Sequence, residues 1–221
     1  RAARCPPSGG SSGFGCPGAT GRIYAPGLQW AEMAPAHLPA VCALERRAHA
    51  HPWSERQFCD SLQAGHWAQL LLCGAAAAGQ GQAVHQAASQ AAHPAAHSVQ
   101  NQPDPVLTLP DGRLLLGYWV AQAVHDEVHL YNLAVAQARR GWGSLLMQRL
   151  AESARAQGAQ TLWLEVRASN QSALALYQRV SFVSVARRRG YYPAPGGARE
   201  DALLLRRCLE AASHAPQPEP A

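Results

Sequence analysis

Lysine is missing from this 221-residue chain, and all 19 of its basic residues are arginine. Together with the abundance of alanine, that absence points to a compositional bias of the genome rather than to a surface selected for nucleic acid. The net charge of +5 is mild, and the arginines are dispersed apart from Arg187, Arg188 and Arg189, so no direct nucleic-acid partner is expected. Also missing is any C-x-x-C pair or disulfide-like spacing among the six cysteines, at 5, 16, 42, 59, 73 and 208. This argues against a zinc ribbon or a secreted disulfide framework and reads as reduced thiols in a cytoplasmic protein. No apolar stretch approaches the roughly 18 to 20 residues of a membrane span, and the N-terminus lacks the apolar core of a signal peptide, so no membrane partner is expected. The chain begins at Arg1 rather than Met, which reads as a fragment or a trimmed chain whose first residues support no claim.

Three segments are poor in patterned hydrophobic content. Residues 1–27 are rich in Gly, Pro and Ser, residues 74–105 are mostly Ala, Gln and His, and residues 210–221 carry Pro. They read as a low-complexity extension, a low-complexity insertion and a disordered tail around one domain at 28–209. What remains is about 150 residues, a common size for a single domain. His85, His93 and His97 in the insertion invite a metal hypothesis, but their spacing matches no zinc site and no Cys or carboxylate lies among them; no metal is expected.

The hydrophobic periodicity supplies the element order. GLQWAEM at 27–33 reads as a strand, and Leu38, Val41, Cys42 and Leu44 recur at helical spacing before Pro52. Ser54 and Glu55 open a second helix that ends at Gly65. HWAQLLLC, GRLLLGYWVAQAV and EVHLYNLAV read as strands, with the insertion where the tip of the first hairpin would lie. A long amphipathic helix follows, with Leu145, Leu146, Met147 and Leu150 inward and Gly158 at its end. TLWLEV is a strand, NQSALALYQRV a helix, and SFVSVARRR and DALLLRRCL two last strands. The order β, α, α, β, β, β, α, β, α, β, β is that of a mixed α/β sheet with helices on both faces.

Two stretches carry candidate chemistry. In RRGWG, Gly141 and Gly143 stand at a helix start, where unpaired backbone N–H groups can cradle a phosphate and Arg139 and Arg140 add positive charge. Tight helix-to-strand packing also selects such glycines, and the arginines also fit a solvated basic corner. In LWLEVRASNQSALALY, Glu165 is a lone carboxylate in an apolar run at a strand end, which by itself fits a salt bridge to Arg167. Tyr177 falls on the helix stripe Ala173, Leu176, Tyr177, Val180 and by itself reads as core.

Taken together, RRAHAHPWSE (46–55), YNLAV (131–135), RRGWG (139–143), LWLEVRASNQSALALY (162–177), RRRGYYP (187–193) and REDALLL (199–205) resemble the GCN5-related N-acetyltransferase (GNAT) family. The similarity is strongest to the branch that acetylates the α-amine of a small-subunit ribosomal protein. It implies the GNAT fold, a mixed and mostly antiparallel central sheet with helices on both faces. It also implies acetyl-CoA as cosubstrate, a ribosomal-protein N-terminus, with Ala first, as substrate, and a monomer.

The same resemblance assigns roles by position. Glu165 becomes the general base and Tyr177 the acid that protonates the departing thiolate. Leu133, Ala134 and Val135 hold the pantetheine arm and thioester, Arg139, Arg140, Gly141, Trp142, Gly143 and Ser144 hold the pyrophosphate, and Asn170 contacts the cofactor. Amine attack on a thioester needs one proton taken from nitrogen and one given to sulfur, so two groups are required. An α-amine titrating near about 8 is easier to deprotonate than a lysine near about 10.4, which fits a carboxylate base.

Three features depart from the family pattern. Only five residues separate Val135 from Gly141, Ala138 stands where Gln or Arg is usual, and Ser181 replaces a glycine before Phe182. Acetylation of a lysine or polyamine, and a non-catalytic acyl-CoA-binding module, remain the alternatives. Because the insertion lacks the hydrophobic content to pack, replacing residues 75–104 with a short Gly/Ser turn should leave the circular dichroism spectrum and acetyl-CoA binding unchanged. Loss of binding in a titration of that variant would make the tract part of the site.

Overall fold

Eleven main elements appear in the order expected from periodicity, in a computed structural model that describes residues 27–74 and 107–209. The tail and nearly all of the extension and of the insertion, with its three histidines, lie outside the described residues. Strands β1 (Leu28–Glu32), β2 (Trp67–Cys73), β3 (Leu114–Val124), β4 (Glu127–Val135), β5 (Thr161–Arg167), β6 (Val183–Pro193) and β7 (Arg199–Cys208) form one sheet in the order β1-β2-β3-β4-β5-β7-β6. Helices α1 (Leu38–Ala48), α2 (Glu55–Gln63), α3 (Trp142–Ala156) and α4 (Gln171–Arg179) connect them. Every strand pairing is antiparallel except β4 with β5.

Local sequence sets the helix boundaries. Ser54 caps α2: its hydroxyl accepts the Gln57 N–H at 3.3 Å while the Gln57 side chain accepts the Ser54 N–H at 2.9 Å, which satisfies two donors the helix itself cannot. Helix α1 closes at Ala48, several residues before Pro52, with the His49 N–H bonded to the Glu45 carbonyl at 3.0 Å. Beyond α3, Gly158 takes φ 78° and its N–H reaches the Arg155 carbonyl at 2.9 Å, a left-handed helix stop.

Each face of the sheet has its own core. On one, Leu146, Met147 and Leu150 of α3 and Tyr177 of α4 pack on Trp119, Leu130, Leu162 and Leu164. Leu145, expected inward, is only partly buried against this cluster. On the other, Val41 and Leu44 of α1 and Phe58 of α2 pack on Leu70, Tyr118 and Val120. Gly117 lets α3 approach: a Cβ there would stand 2.7 Å from the Ala134 carbonyl oxygen and 2.9 Å from Leu146 Cδ1.

Two irregularities in β4 shape the centre of the sheet. Val120 pairs with Asn132 but Ala121 pairs with Leu130, so Tyr131 is an extra residue, a bulge. The bulge exchanges the faces: Val128 and Leu130 enter the α3 core, whereas Ala134 enters the α1 core. Beyond it, the parallel ladder with β5 stops at Leu130 and Leu164, although β4 runs on to Val135 and β5 to Arg167. The two strands splay and leave a notch in mid-sheet.

The serine that stands in place of the expected glycine has a visible consequence. Ser181, at the end of α4, is held at φ 67° with its N–H bonded to the Gln178 carbonyl at 3.1 Å, a left-handed conformation that costs a residue with a Cβ about 1 kcal/mol. Ser181→Gly should therefore raise the melting temperature by about 2 to 4 °C, measured by differential scanning calorimetry.

Candidate active site

The notch frees backbone groups in alternation. The Ala136 N–H donates to the Leu116 carbonyl at 2.8 Å, and Val135 stands opposite Gly117. That geometry makes Gly117 and Val135 a pair without mutual hydrogen bonds, so the N–H and C=O of Val135, and by alternation of Leu133, point away from β3. They face the gap where β5 has left the ladder. Ala134 lies between them with its own groups turned toward β3 and its side chain buried. A polar ligand strand laid in the gap would find the donors and acceptors that β5 no longer supplies.

The notch ends at the start of α3. Gly141, at φ 82°, is the N-cap, and the first turn, Trp142, Gly143 and Ser144, contains no acidic residue. Its amide groups have no partner within the helix and carry the positive end of the dipole. Gly143 is also a packing glycine, since a Cβ there would come within 2.9 Å of Leu176 Cδ2 on α4. Arg139 and Arg140 are exposed beside this terminus; Arg140 Nε donates to Gln137 Oε1 at 3.2 Å. The short link from Val135 holds Arg139 at φ 61°. A polyanion fits this corner, and all of these residues border the groove that contains the notch.

Glu165 and Tyr177 border the same groove from opposite faces of the sheet. Leu162, Leu164 and Val166 of β5 enter the α3 core, so Glu165, in alternation, emerges on the α1 side. Tyr177 sits in the α3 core, 8% exposed, its ring centroid 5.7 Å from that of Phe182. Burial, and then the neighbouring Tyr192, hold the Tyr177 phenol well above its ordinary value, so it carries its proton throughout the neutral range.

Glu165 does not bond its neighbour Arg167. Its Oε1 stands 3.1 Å from Arg188 Nη1 on β6, while Arg167 bonds Glu200 at 3.3 Å and lies 4.4 Å over the Tyr192 ring. Asn170 caps α4, its side-chain oxygen accepting the Ala173 N–H at 3.1 Å.

Sequence reasoning missed a buried carboxylate. Glu45 of α1, 1% exposed, accepts from the Trp53 N–H at 2.8 Å, from Asn132 Nδ2 at 3.1 Å and from the Tyr118 hydroxyl. Its position was legible, for Leu38, Val41, Cys42 and Glu45 share one inward stripe. Tyr192 and Arg188 belong to the motif RRRGYYP, whose pattern alone gives neither of them a role.

The described residues contain no group of three or more His, Cys, Asp or Glu that could hold a metal ion, and no helix long and apolar enough to cross a membrane. Burial also raises the Tyr118 phenol, with Glu45 adding to it. Both Tyr118 and Tyr177 ionise earlier in the unfolded chain, at about 10, than in the fold. Their contribution to stability is complete below that pH and is lost as pH rises above it. Burial raises the Tyr192 phenol in the same direction. Unfolding free energy from urea titrations between pH 10 and 12 should fall, and Tyr177→Phe should flatten the slope by about 1.4 kcal/mol per pH unit.

Comparison with known proteins bears on the family and the fold. Residues 78–182 match the acetyltransferase (GNAT) family. The chain is 33% identical over 172 residues to the ribosomal protein bS18-alanine N-acetyltransferase of Escherichia coli strain K12, covering 76% of this chain and 88% of that one. It is 41% identical over 101 residues to the protein of that name from Haemophilus influenzae, covering 45% of this chain and 68% of the relative. The crystal structure of the ribosomal-protein-S18-alanine N-acetyltransferase from Escherichia coli superposes with a TM-score of 0.61 at 29% identity, covering 86% of this chain and 99% of that one. With the splayed sheet, the glycine-started α3 and similarity along most of both chains, this protein belongs to the GNAT acetyltransferase family.

Proposed function

We propose that this protein transfers an acetyl group from acetyl-CoA to the α-amine of a ribosomal-protein N-terminus, with alanine as first residue and bS18 as the substrate class. The observation that carries the reading is the placement of Glu165 and Tyr177 on opposite faces of one notch. Similarity to bS18-alanine N-acetyltransferases over most of their length supports the substrate.

Acetyl-CoA supplies the activated acyl group as a thioester. Arg139, Arg140 and the amides of Gly141, Trp142, Gly143 and Ser144 hold its diphosphate at the start of α3. The freed backbone groups of Leu133 and Val135 hold the pantetheine arm and polarise the acyl carbonyl, with Ala134 keeping them in register, and Asn170 borders the path of the arm from the cap of α4. The α3 face is thereby taken by cofactor. The peptide enters from the α1 side, where Glu165 emerges.

Glu165 Oε1 takes Arg188, which leaves Oε2 to accept a proton from the amine, directly or through water. The nitrogen attacks the acyl carbon, the C–N bond forms, the C–S bond breaks, and the Tyr177 phenol delivers a proton to the departing sulfur. Transfer is direct within a ternary complex.

Glu165→Gln and Tyr177→Phe separate the two roles. With acetyl-CoA and an Ala-starting peptide, Glu165→Gln should bind cofactor normally and lose on the order of 10² to 10⁴ in turnover, the loss shrinking as pH rises and the amine arrives neutral. Tyr177→Phe should stay slow at every pH, because its defect lies at sulfur. Full turnover of Glu165→Gln at pH 7 would make the carboxylate a mere partner of Arg188. Acetyl located by mass spectrometry on lysine or polyamine instead of the α-amine would redirect the substrate reading. Cofactor binding without any transfer would leave an acyl-CoA-binding module.

A further inference from the structure

Glu45 is a carboxylate almost wholly removed from water, and a group of that kind is stable only when its oxygens are hydrogen-bonded. Its donors come from three separate places. Oε1 receives the Trp53 backbone N–H at 2.8 Å and Asn132 Nδ2 at 3.1 Å, and Oε2 receives the Tyr118 hydroxyl. His49 Nε2 stands 3.4 Å from Oε2 without hydrogen-bond alignment. An apolar residue could fill the same volume at less desolvation cost, so the carboxylate fixes the relative position of what it binds.

What it binds are the two borders of the groove on its α1 side. Trp53 ends the loop between α1 and α2, whose residues 49–53 line the groove together with Leu133, Glu165 and Tyr177. Asn132 follows the bulge at Tyr131 and directly precedes Leu133, whose backbone faces the notch. One side chain therefore spans from the loop that an incoming peptide meets to the strand that carries the acyl site.

We propose that Glu45 is a positioning residue for the acceptor amine: by tying the 49–53 loop to Asn132 it sets the gap across which amine and thioester meet. The inference rests on the N-acetyltransferase reading above. Misplacement by about 1 Å at such a gap can cost on the order of 10²-fold in rate, so the reach of residue 45 matters more than its charge.

Two substitutions separate reach from charge. Glu45→Asp keeps the carboxylate and shortens it by one methylene, whereas Glu45→Gln keeps the length, its Oε1 able to take both Trp53 and Asn132. With acetyl-CoA and an Ala-starting peptide, Glu45→Asp should raise the peptide KM and lower kcat, together about 10- to 100-fold in kcat/KM, with calorimetric acetyl-CoA affinity unchanged. Glu45→Gln should recover most of that loss. Tyr118→Phe, which leaves the Trp53 and Asn132 bonds in place, should lower the melting temperature without moving the peptide KM.

An unchanged peptide KM in Glu45→Asp overturns the proposal, as does a Tyr118→Phe variant that reproduces the KM change at equal loss of melting temperature. Amide hydrogen exchange decides the matter independently of turnover: Glu45→Asp should accelerate exchange at 49–54 while the rest of α1 stays protected. Unchanged exchange there refutes the tie even if wild type transfers nothing. Wild type that binds acetyl-CoA yet modifies no peptide refutes the substrate reading instead.

Discussion

A parallel pair of strands can be held together only as far as their ladder runs, and in this protein the ladder between β4 and β5 runs from Glu127 opposite Thr161 to Leu130 opposite Leu164. Beyond that point the backbone of β4 must find other partners or stay in contact with solvent or ligand. The bulge at Tyr131 lies immediately after the last pair and changes which side chains face which helix layer. Strand β5 compensates on its other edge, where Glu165, Val166 and Arg167 remain paired to β7. A break in hydrogen bonding thus becomes a built slot without leaving either strand unsupported.

The slot explains why so much of the fold was legible and so little of the site's connectivity. Strand and helix periodicities depend on which residues are buried, and Leu146, Met147, Leu150 and Tyr177 are buried as their spacing implies. Gly141 and Ser181 could be read because their backbone conformations are local. The partner of Glu165 could not: Arg167 lies two residues on and shares its face of β5, but its guanidinium is held by Glu200, and Arg188 reaches Glu165 from a strand that is distant in sequence. The Glu45 cluster joins positions 45, 53, 118 and 132, and no period in a linear chain reveals that four such residues converge.

Among the described residues, two of the three non-glycine positions with a left-handed backbone lie at turns beside the groove. Ser181 adopts a left-handed conformation that glycine would take without cost, and Arg139 adopts another where the chain turns from β4 into α3 through a short link. The first borders the helix that bears Tyr177 and the second borders the N-terminus of α3. Both turns retain the geometry their neighbours require, with side-chain-bearing residues held in it.

The order of strands has a consequence for how the protein is made. Strands β1 to β4 come from residues 28–135 and β5 to β7 from 161–208, and the short parallel ladder is where these two contiguous stretches join, with α3 spanning them. The backbone slot belongs to the earlier stretch, while Glu165 and Tyr177 belong to the later one. A chain that has formed only its first four strands has the freed backbone of Leu133 and Val135 but neither Glu165 nor Tyr177, the pair proposed to move protons. Docking of the second half completes the sheet and brings in the proposed proton-handling pair in the same event, so on the proposed mechanism turnover doubles as a readout of finished folding.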